Sequence, residues 1–177
     1  MPRAYLDYAA TAPLRPEARR AMMPFLDGSF GNPSSAHRLG EAAHEAVERA
    51  RESVSRLIGA EPEQVIFTSG GTEAINLALQ GVALSLDARR HLVATSIEHP
   101  ATLETVRFLE RRGWRVTLLP VDSHGLVDPD LVRRTITPET ALVSVIHGNN
   151  EVGTVQPVTE IGRITRERGV LLHVDAV

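Results

Sequence analysis

Ala141-Leu142-Val143-Ser144-Val145-Ile146 is apolar at every position but one, and polar residues do not recur at every second place. A strand with one wet face alternates, so a run of this kind belongs to a strand buried on both faces, as in a parallel sheet covered by helices. Working outward, the same grammar recurs: short apolar runs at 64–68, 91–96, 114–119 and 170–174 are separated by helical stretches at 72–84, 101–112, 129–134 and 158–168. Strands alternating with helices predict an α/β class, a mainly parallel sheet with helices on both faces.

Upstream, Leu39, Ala43, Val47, Ala50, Val54, Leu57 and Ile58 fall at spacings of three and four, with Glu45, Glu48, Arg49, Glu52 and Arg56 opposite them. That spacing predicts an amphipathic helix over 39–58. Gly59 suits a left-handed cap and Pro62 stops continuation. Residues 2–33 are rich in Pro, Gly and small side chains without a clear period, and the segment 1–33 is expected to wrap a domain formed by 34–177. At the other end, Val170-Leu171-Leu172-His173-Val174-Asp175-Ala176-Val177 stops on an apolar strand. Such a strand wants a crossover and further neighbours, so truncation at the C-terminus is expected.

The 177 residues are 42% hydrophobic and 23% charged, with a formal net charge of −3, the balance of an ordinary globular domain. A chain of this size removes roughly 70% of its unfolded surface from water. The mild acidity argues against a sequence-independent nucleic-acid binder, which needs a basic stripe. No apolar run approaches the ~18 residues of a membrane span. The opening residues carry Asp7 and no apolar core, so they do not read as a signal peptide and the cytoplasm is the expected compartment. Cysteine is absent, which excludes a disulfide framework, a thiolate metal site and a thiol nucleophile within these residues, and no metal ligands are expected. All 19 basic residues are arginine. A GC-rich genome would explain that choice. Its chemical consequence is that an amine is available only at the N-terminus, because a guanidinium stays protonated and forms no ordinary Schiff base.

In open α/β sheets ligands gather beyond the carboxyl ends of the strands, so the loops there are the place to seek chemistry. Thr68-Ser69-Gly70-Gly71-Thr72-Glu73 opens directly into a helix; its glycines let backbone N–H groups approach an anion at the positive helix end, although a plain turn capped by Thr72 reads equally well. It matches neither the Walker loop nor the dinucleotide glycine pattern. Ser96-Ile97-Glu98-His99-Pro100 places an imidazole at the same mouth, able to stack on a flat ligand and move protons near neutral pH, or simply to sit at the surface or cap a helix. His37, His44, His91 and His124 carry only that second reading. His147-Gly148-Asn149-Asn150-Glu151-Val152-Gly153 offers amides to a ligand oxygen, or is a turn. Asp175 emerges from a buried strand, where an unpaired charge is costly, and wants a cation: a protonated pyridine, a helix cap or an arginine. One flat anionic ligand satisfies all four loops, with its phosphate on Gly70-Gly71-Thr72, its ring under His99, its phenolic oxygen near Asn150 and its ring nitrogen on Asp175. Pyridoxal 5'-phosphate has those parts.

At these residues the sequence resembles the cysteine desulfurases, pyridoxal-phosphate enzymes of aminotransferase class V. Tyr5-Leu6-Asp7-Tyr8-Ala9-Ala10-Thr11, Phe30-Gly31-Asn32-Pro33-Ser34-Ser35 with His37, Phe67-Thr68-Ser69-Gly70-Gly71-Thr72-Glu73, Glu98-His99, His147 to Gly153 with Gln156, and His173-Val174-Asp175-Ala176 look like its motifs in order. The Asn149-Asn150-Glu151 form is closer to the branch that feeds iron–sulfur and nitrogenase cluster assembly. The resemblance implies the large cofactor domain of fold-type I enzymes, usually a homodimer. It implies that Gly71 and Thr72 hold the phosphate, that His99 stacks on the ring and moves protons, that Asn150 bonds the phenolic oxygen and that Asp175 pairs with the pyridinium. L-cysteine would be converted to L-alanine, with sulfur held as enzyme persulfide for an iron–sulfur scaffold protein. The family's Schiff-base lysine, its glutamine just after the strand-end aspartate, its substrate-binding arginine and its nucleophilic cysteine would lie beyond Val177, so the chain alone is expected to be inactive. Other readings are a non-catalytic fragment or assembly partner, another class V lyase or aminotransferase, and a nucleotide-binding α/β domain, whose glycine motifs are missing.

Overall fold

A computed structural model describes residues 4–86 and 89–177. The chain divides into two compact units, 1–67 and 68–177.

The first unit holds helix α1 (Pro16–Leu26) and helix α2 (Arg38–Ile58). Helix α1 lies in the stretch read above as lacking periodicity. Pro16 at its first position is a favoured start, because the missing N–H has no partner there in any helix. Pro24 inside the helix masks the pattern, and within this unit no residue of α1 is buried. The expected amphipathic helix is α2, ended by Gly59 in the left-handed conformation at φ +67°. His37 caps it, its Nδ1 accepting the N–H of Gly40 at 3.3 Å. A side chain on Gly40 would collide with the Ser35 carbonyl oxygen at 2.1 Å, so glycine here lets segment 31–35 lie against the helix start. The apolar run at 64–68 is not a strand, which corrects the sequence expectation. Pro62–Gln64 forms one 3-10 turn, and 65–68 continue without a ladder partner among the described residues. A strand exists only by pairing. The Val65 carbonyl is instead taken by the Arg51 guanidinium, whose carbon also lies 5.1 Å from the centre of the Phe67 ring.

The second unit is the α/β body. Its strands are β1 (His91–Thr95), β2 (Arg115–Leu119), β3 (Thr140–Ile146) and β4 (Leu171–Asp175), and its helices are α3 (Gly71–Ser85), α4 (Pro100–Arg111), α5 (Pro129–Thr135) and α6 (Val158–Glu167). All neighbouring strands are parallel, in the order β2-β1-β3-β4. Side chains of successive residues point to opposite faces, so β1 and β3 each feed two cores. Leu92, Ala94 and Leu142 pack with Ile75 and Leu79 of α3 and with Val106 and Leu109 of α4. Val93, Val143 and Val145 pack with Val132 of α5 and with Ile161 and Ile164 of α6. The expected parallel sheet with helices on both faces is thus what forms, from four strands.

The chain leaves β1 for one neighbour, β2, then returns to the other side of β1 to make β3. That reversal opens a crevice at the carboxyl ends of β1 and β3, the usual ligand position in such sheets.

At the opposite, amino end of the sheet His91 is buried rather than at the surface or capping a helix. Its Nδ1 lies 2.8 Å from Thr140 Oγ1 and its Nε2 lies 2.9 Å from Thr117 Oγ1, so one imidazole ties β1 to both neighbours.

Candidate functional site

The carboxyl end of the sheet brings the sequence-selected loops of the second unit to one edge. Helix α3 begins at Gly71 after Gly70, and its first intrahelical bond runs from Ala74 N–H to the Gly70 carbonyl at 3.1 Å. The N–H groups of Gly71, Thr72 and Glu73 precede that bond, so they are the donors that a helix leaves for an anion. Thr72 is not the N-cap; Gly70 is, in extended backbone. The Glu73 carboxylate turns back to accept the Ser69 hydroxyl at 2.5 Å and the Ser69 N–H at 2.7 Å. Those bonds, the hydroxyl's foremost, hold Glu73 below the usual carboxylate range. A β-carbon on Gly71 would lie 2.6 Å from Val177 Cγ2, so the segment leaving β4 closes directly on the helix start.

Thr72 and His99 line one cavity of about 490 Å³ between α3 and α4, together with Asn76, Thr105 and Phe108. His99 caps α4 and also faces this cavity: its Nδ1 accepts the Ala101 N–H at 3.1 Å. That bond fixes the ring and leaves Nε2 as the nitrogen able to carry a proton.

Asp175 ends β4 and is buried, with only 6% of its surface exposed. Its Oδ1 accepts the Val177 N–H at 3.1 Å, and no ion pair among the described residues includes it. A buried carboxylate without a cation is a costly arrangement that a cationic ligand would relieve.

The two asparagines of the β3 loop divide their work. Asn149 shapes the turn: its Oδ1 accepts the N–H groups of Glu151 and Val152 at 2.9 and 3.0 Å, and its Nδ2 donates to the Ile97 carbonyl at 3.0 Å. This last bond ties the loop to the one carrying His99. Asn150, beside it, is exposed. Gln156, quoted with the same motif, is buried; its Oε1 accepts the Val127 N–H at 3.0 Å and its Nε2 donates to the Gly125 carbonyl at 2.6 Å.

Sequence reasoning passed over Glu98, which it quoted without a role. Its side chain sits in the crevice between β1 and β3. Oε1 accepts the Ile146 N–H at 2.7 Å and the Thr95 hydroxyl, and Oε2 lies 3.3 Å from Ser144 Oγ. Ser144 Oγ is 2.9 Å from His173 Nδ1. Burial pushes the Glu98 carboxyl up from its ordinary range, against the pull of those bonds, and the nearby Asp175 charge pushes the same way. Burial pushes the His173 imidazole down, opposed by Asp175. The signal that flagged Asp175, a carboxylate emerging from the carboxyl end of a buried strand, also applies to Glu98, three residues past the end of β1.

Residues 4–177 match the aminotransferase class-V family. The chain belongs to that family. Among class-V relatives, cysteine desulfurase IscS of Dictyoglomus turgidum is 48% identical over 174 residues, which are 98% of this chain and 44% of that protein. A solved NifS-like protein superposes with a TM-score of 0.94 at 40% identity, across 99% of this chain and 49% of its own. A structure described as SspA in complex with cysteine superposes with a TM-score of 0.92 at 41% identity, across 97% of this chain and 50% of its own. The chain thus spans half or less of the length of these class-V relatives. Among the described residues, no helix is long and apolar enough to cross a membrane.

Proposed function

We propose that this chain forms the cofactor-holding part of a pyridoxal-phosphate-dependent cysteine desulfurase that converts L-cysteine to L-alanine and passes sulfur, as an enzyme persulfide, toward iron–sulfur cluster assembly. The observation that carries the reading is Asp175, a buried carboxylate without a cation, on the same sheet edge as an anion-receptive helix start and an oriented imidazole. Positive ring nitrogen and negative phosphate on one flat molecule answer both needs.

The residues present fit pyridoxal 5'-phosphate by their donor set. The N–H groups of Gly71 and Thr72, with the Thr72 hydroxyl, would bind the phosphate at the positive end of α3. Asp175 would pair with the pyridine nitrogen and keep its proton in place. Asn150 would donate its side-chain amide to the phenolic oxygen. His99, held through Nδ1, would lie against the ring and offer Nε2 to the proton that moves at the substrate carbon. When bound, the cofactor supplies an electron sink for carbanion chemistry at that carbon. The 177 residues contain no lysine and no cysteine. The anchoring amine and the sulfur-accepting thiol are therefore assigned to residues outside 1–177, and a homodimer handing sulfur to an iron–sulfur scaffold protein is the expected assembly.

Circular dichroism of the bound chromophore tests this reading. Titration with pyridoxal 5'-phosphate is expected to saturate, and pyridoxal, lacking the phosphate, to bind at least about thirtyfold more weakly, equivalent to about 2 kcal/mol. Equal affinity for both compounds, or no saturable signal, would overturn it.

A further inference from the structure

Ser144 Oγ stands between two heavy-atom partners, Glu98 Oε2 at 3.3 Å and His173 Nδ1 at 2.9 Å, and a hydroxyl has one proton to give. The chain of contacts therefore has a direction. Either Ser144 donates to an ionised Glu98 and accepts from a protonated His173 Nδ1, or Glu98 donates to Ser144, which donates to a bare His173 Nδ1.

The two carboxyl oxygens of Glu98 distinguish these directions. Both of the other donors to Glu98, the Ile146 N–H and the Thr95 hydroxyl, converge on Oε1, leaving Oε2 with Ser144 alone. That is how a carboxylic acid is treated, with a carbonyl oxygen receiving and a hydroxyl oxygen giving. The surroundings agree. Glu98 is only 4% exposed, and no ion pair among the described residues includes it. Of the elements around it, β3 carries no titratable side chain, β1 carries His91 at its far end, and β4 contributes His173 and the carboxylate of Asp175. Helix α4 starts at the exposed His99 and α3 brings Glu73, which is bonded to Ser69. Two carboxylates so placed do not both ionise cheaply.

We propose that Glu98 stands as a neutral carboxylic acid and acts as a positioning residue, its proton directing a hydrogen-bond chain through Ser144 to His173 that fixes the ends of β1, β3 and β4 around Asp175. Ser144 and His173 are register neighbours on β3 and β4, and Glu98 reaches them from the loop that follows β1, so the chain links the ends of all three strands. It leaves the negative charge on Asp175, where a pyridinium needs it, and it fixes the loop from which His99 projects. Because it assigns Asp175 the role of counter-charge, the proposal rests on the cofactor reading above.

Isotope-edited infrared spectroscopy of the purified protein near neutral pH, as a difference between the native chain and Glu98→Gln, is expected to show a carboxylic-acid carbonyl band for Glu98. Nitrogen-15 NMR is expected to show His173 neutral with its proton on Nε2. Glutamine reproduces the acid's pattern, since its amide donates to Ser144 while its oxygen keeps the Thr95 and Ile146 bonds. Glu98→Gln should thus hold pyridoxal 5'-phosphate within about threefold of the native chain and Glu98→Ala at least about tenfold more weakly. A carboxylate band, a proton on His173 Nδ1, or equal losses for the two variants would overturn the proposal. The first two readouts need neither cofactor nor the alanine variant. A native chain that binds no cofactor, yet shows the acid band, would overturn the functional reading and leave the neutral, chain-directing Glu98 standing.

Discussion

Replacing Asp175 with alanine is expected to weaken pyridoxal 5'-phosphate binding by about tenfold to a hundredfold, the value of one charge-assisted hydrogen bond at about 1.5–3 kcal/mol. The same change should leave the unfolding free energy of the cofactor-free protein unchanged or raised. The carboxylate is buried without a cation, and among the described residues its side chain bonds only the Val177 N–H, at 3.1 Å. Removing an unpaired buried charge relieves desolvation. Urea denaturation and cofactor titration of one variant therefore move in different directions. A purely structural aspartate would lose stability and leave affinity for the cofactor alone.

Acid is expected to destabilise the Glu98→Gln variant below about pH 6.5, ahead of general carboxylate protonation. Two imidazoles in the sheet are held below their ordinary value of 6.5: His91 by burial first, then by Arg115, and His173 by burial. In the window beneath 6.5 the unfolded chain takes up their protons and the folded chain does not, so stability falls with falling pH by up to about 1.4 kcal/mol per pH unit for each group. Glu98 has the opposite sign. Its carboxyl is pushed above 4.5, so the folded chain holds that proton first and gains stability as pH falls through the raised value. With glutamine at position 98 the two imidazoles act alone and the slope is a loss. Glu98→Gln deletes the opposing contribution, and its stability should fall more steeply than that of the native chain between about pH 6.5 and 4.5. Unfolding free energies measured across that range check the claim; a flat profile for Glu98→Gln would contradict the burial of His91 and His173 as neutral rings.

Sequence patterns revealed the parts of this fold that depend on local chemistry. The runs at 91–95, 115–119 and 140–146 each feed two cores, and their Val, Leu and Ile report that directly, whereas 171–175 packs on one core through Leu172. The run at 64–68 has the same composition, yet its pairing depends on what lies beside it, and Arg51 occupies the Val65 carbonyl. Composition carries no record of a neighbour. Helix α1 was hidden by Pro24, a breaker tolerated late in the helix, although Pro16 marked its start. In the candidate site, Gly71, Thr72, His99 and Asp175 stood out because they follow strand ends or open a helix, and the structure places them at the carboxyl end of the sheet. The resemblance names Asn150 rather than Asn149; Asn149 spends two bonds on the turn and one on the Ile97 carbonyl, while Asn150 beside it is exposed. Glu98 was legible in kind but not in role. Its partners, Thr95, Ser144 and Ile146, come from two strands, and one of them leads on to a third.

The central claim is that one sheet edge, formed by the ends of β1, β3 and β4 with the start of α3, holds the cofactor. Mapping backbone amide shifts by NMR while pyridoxal 5'-phosphate is titrated into the protein tests it most directly. The account predicts saturable changes at Gly71, Thr72, His99, Asn150 and Asp175, rising together along one binding curve. Changes confined to α5 and α6 on the other face of the sheet, or no saturable change at those five residues, would contradict it.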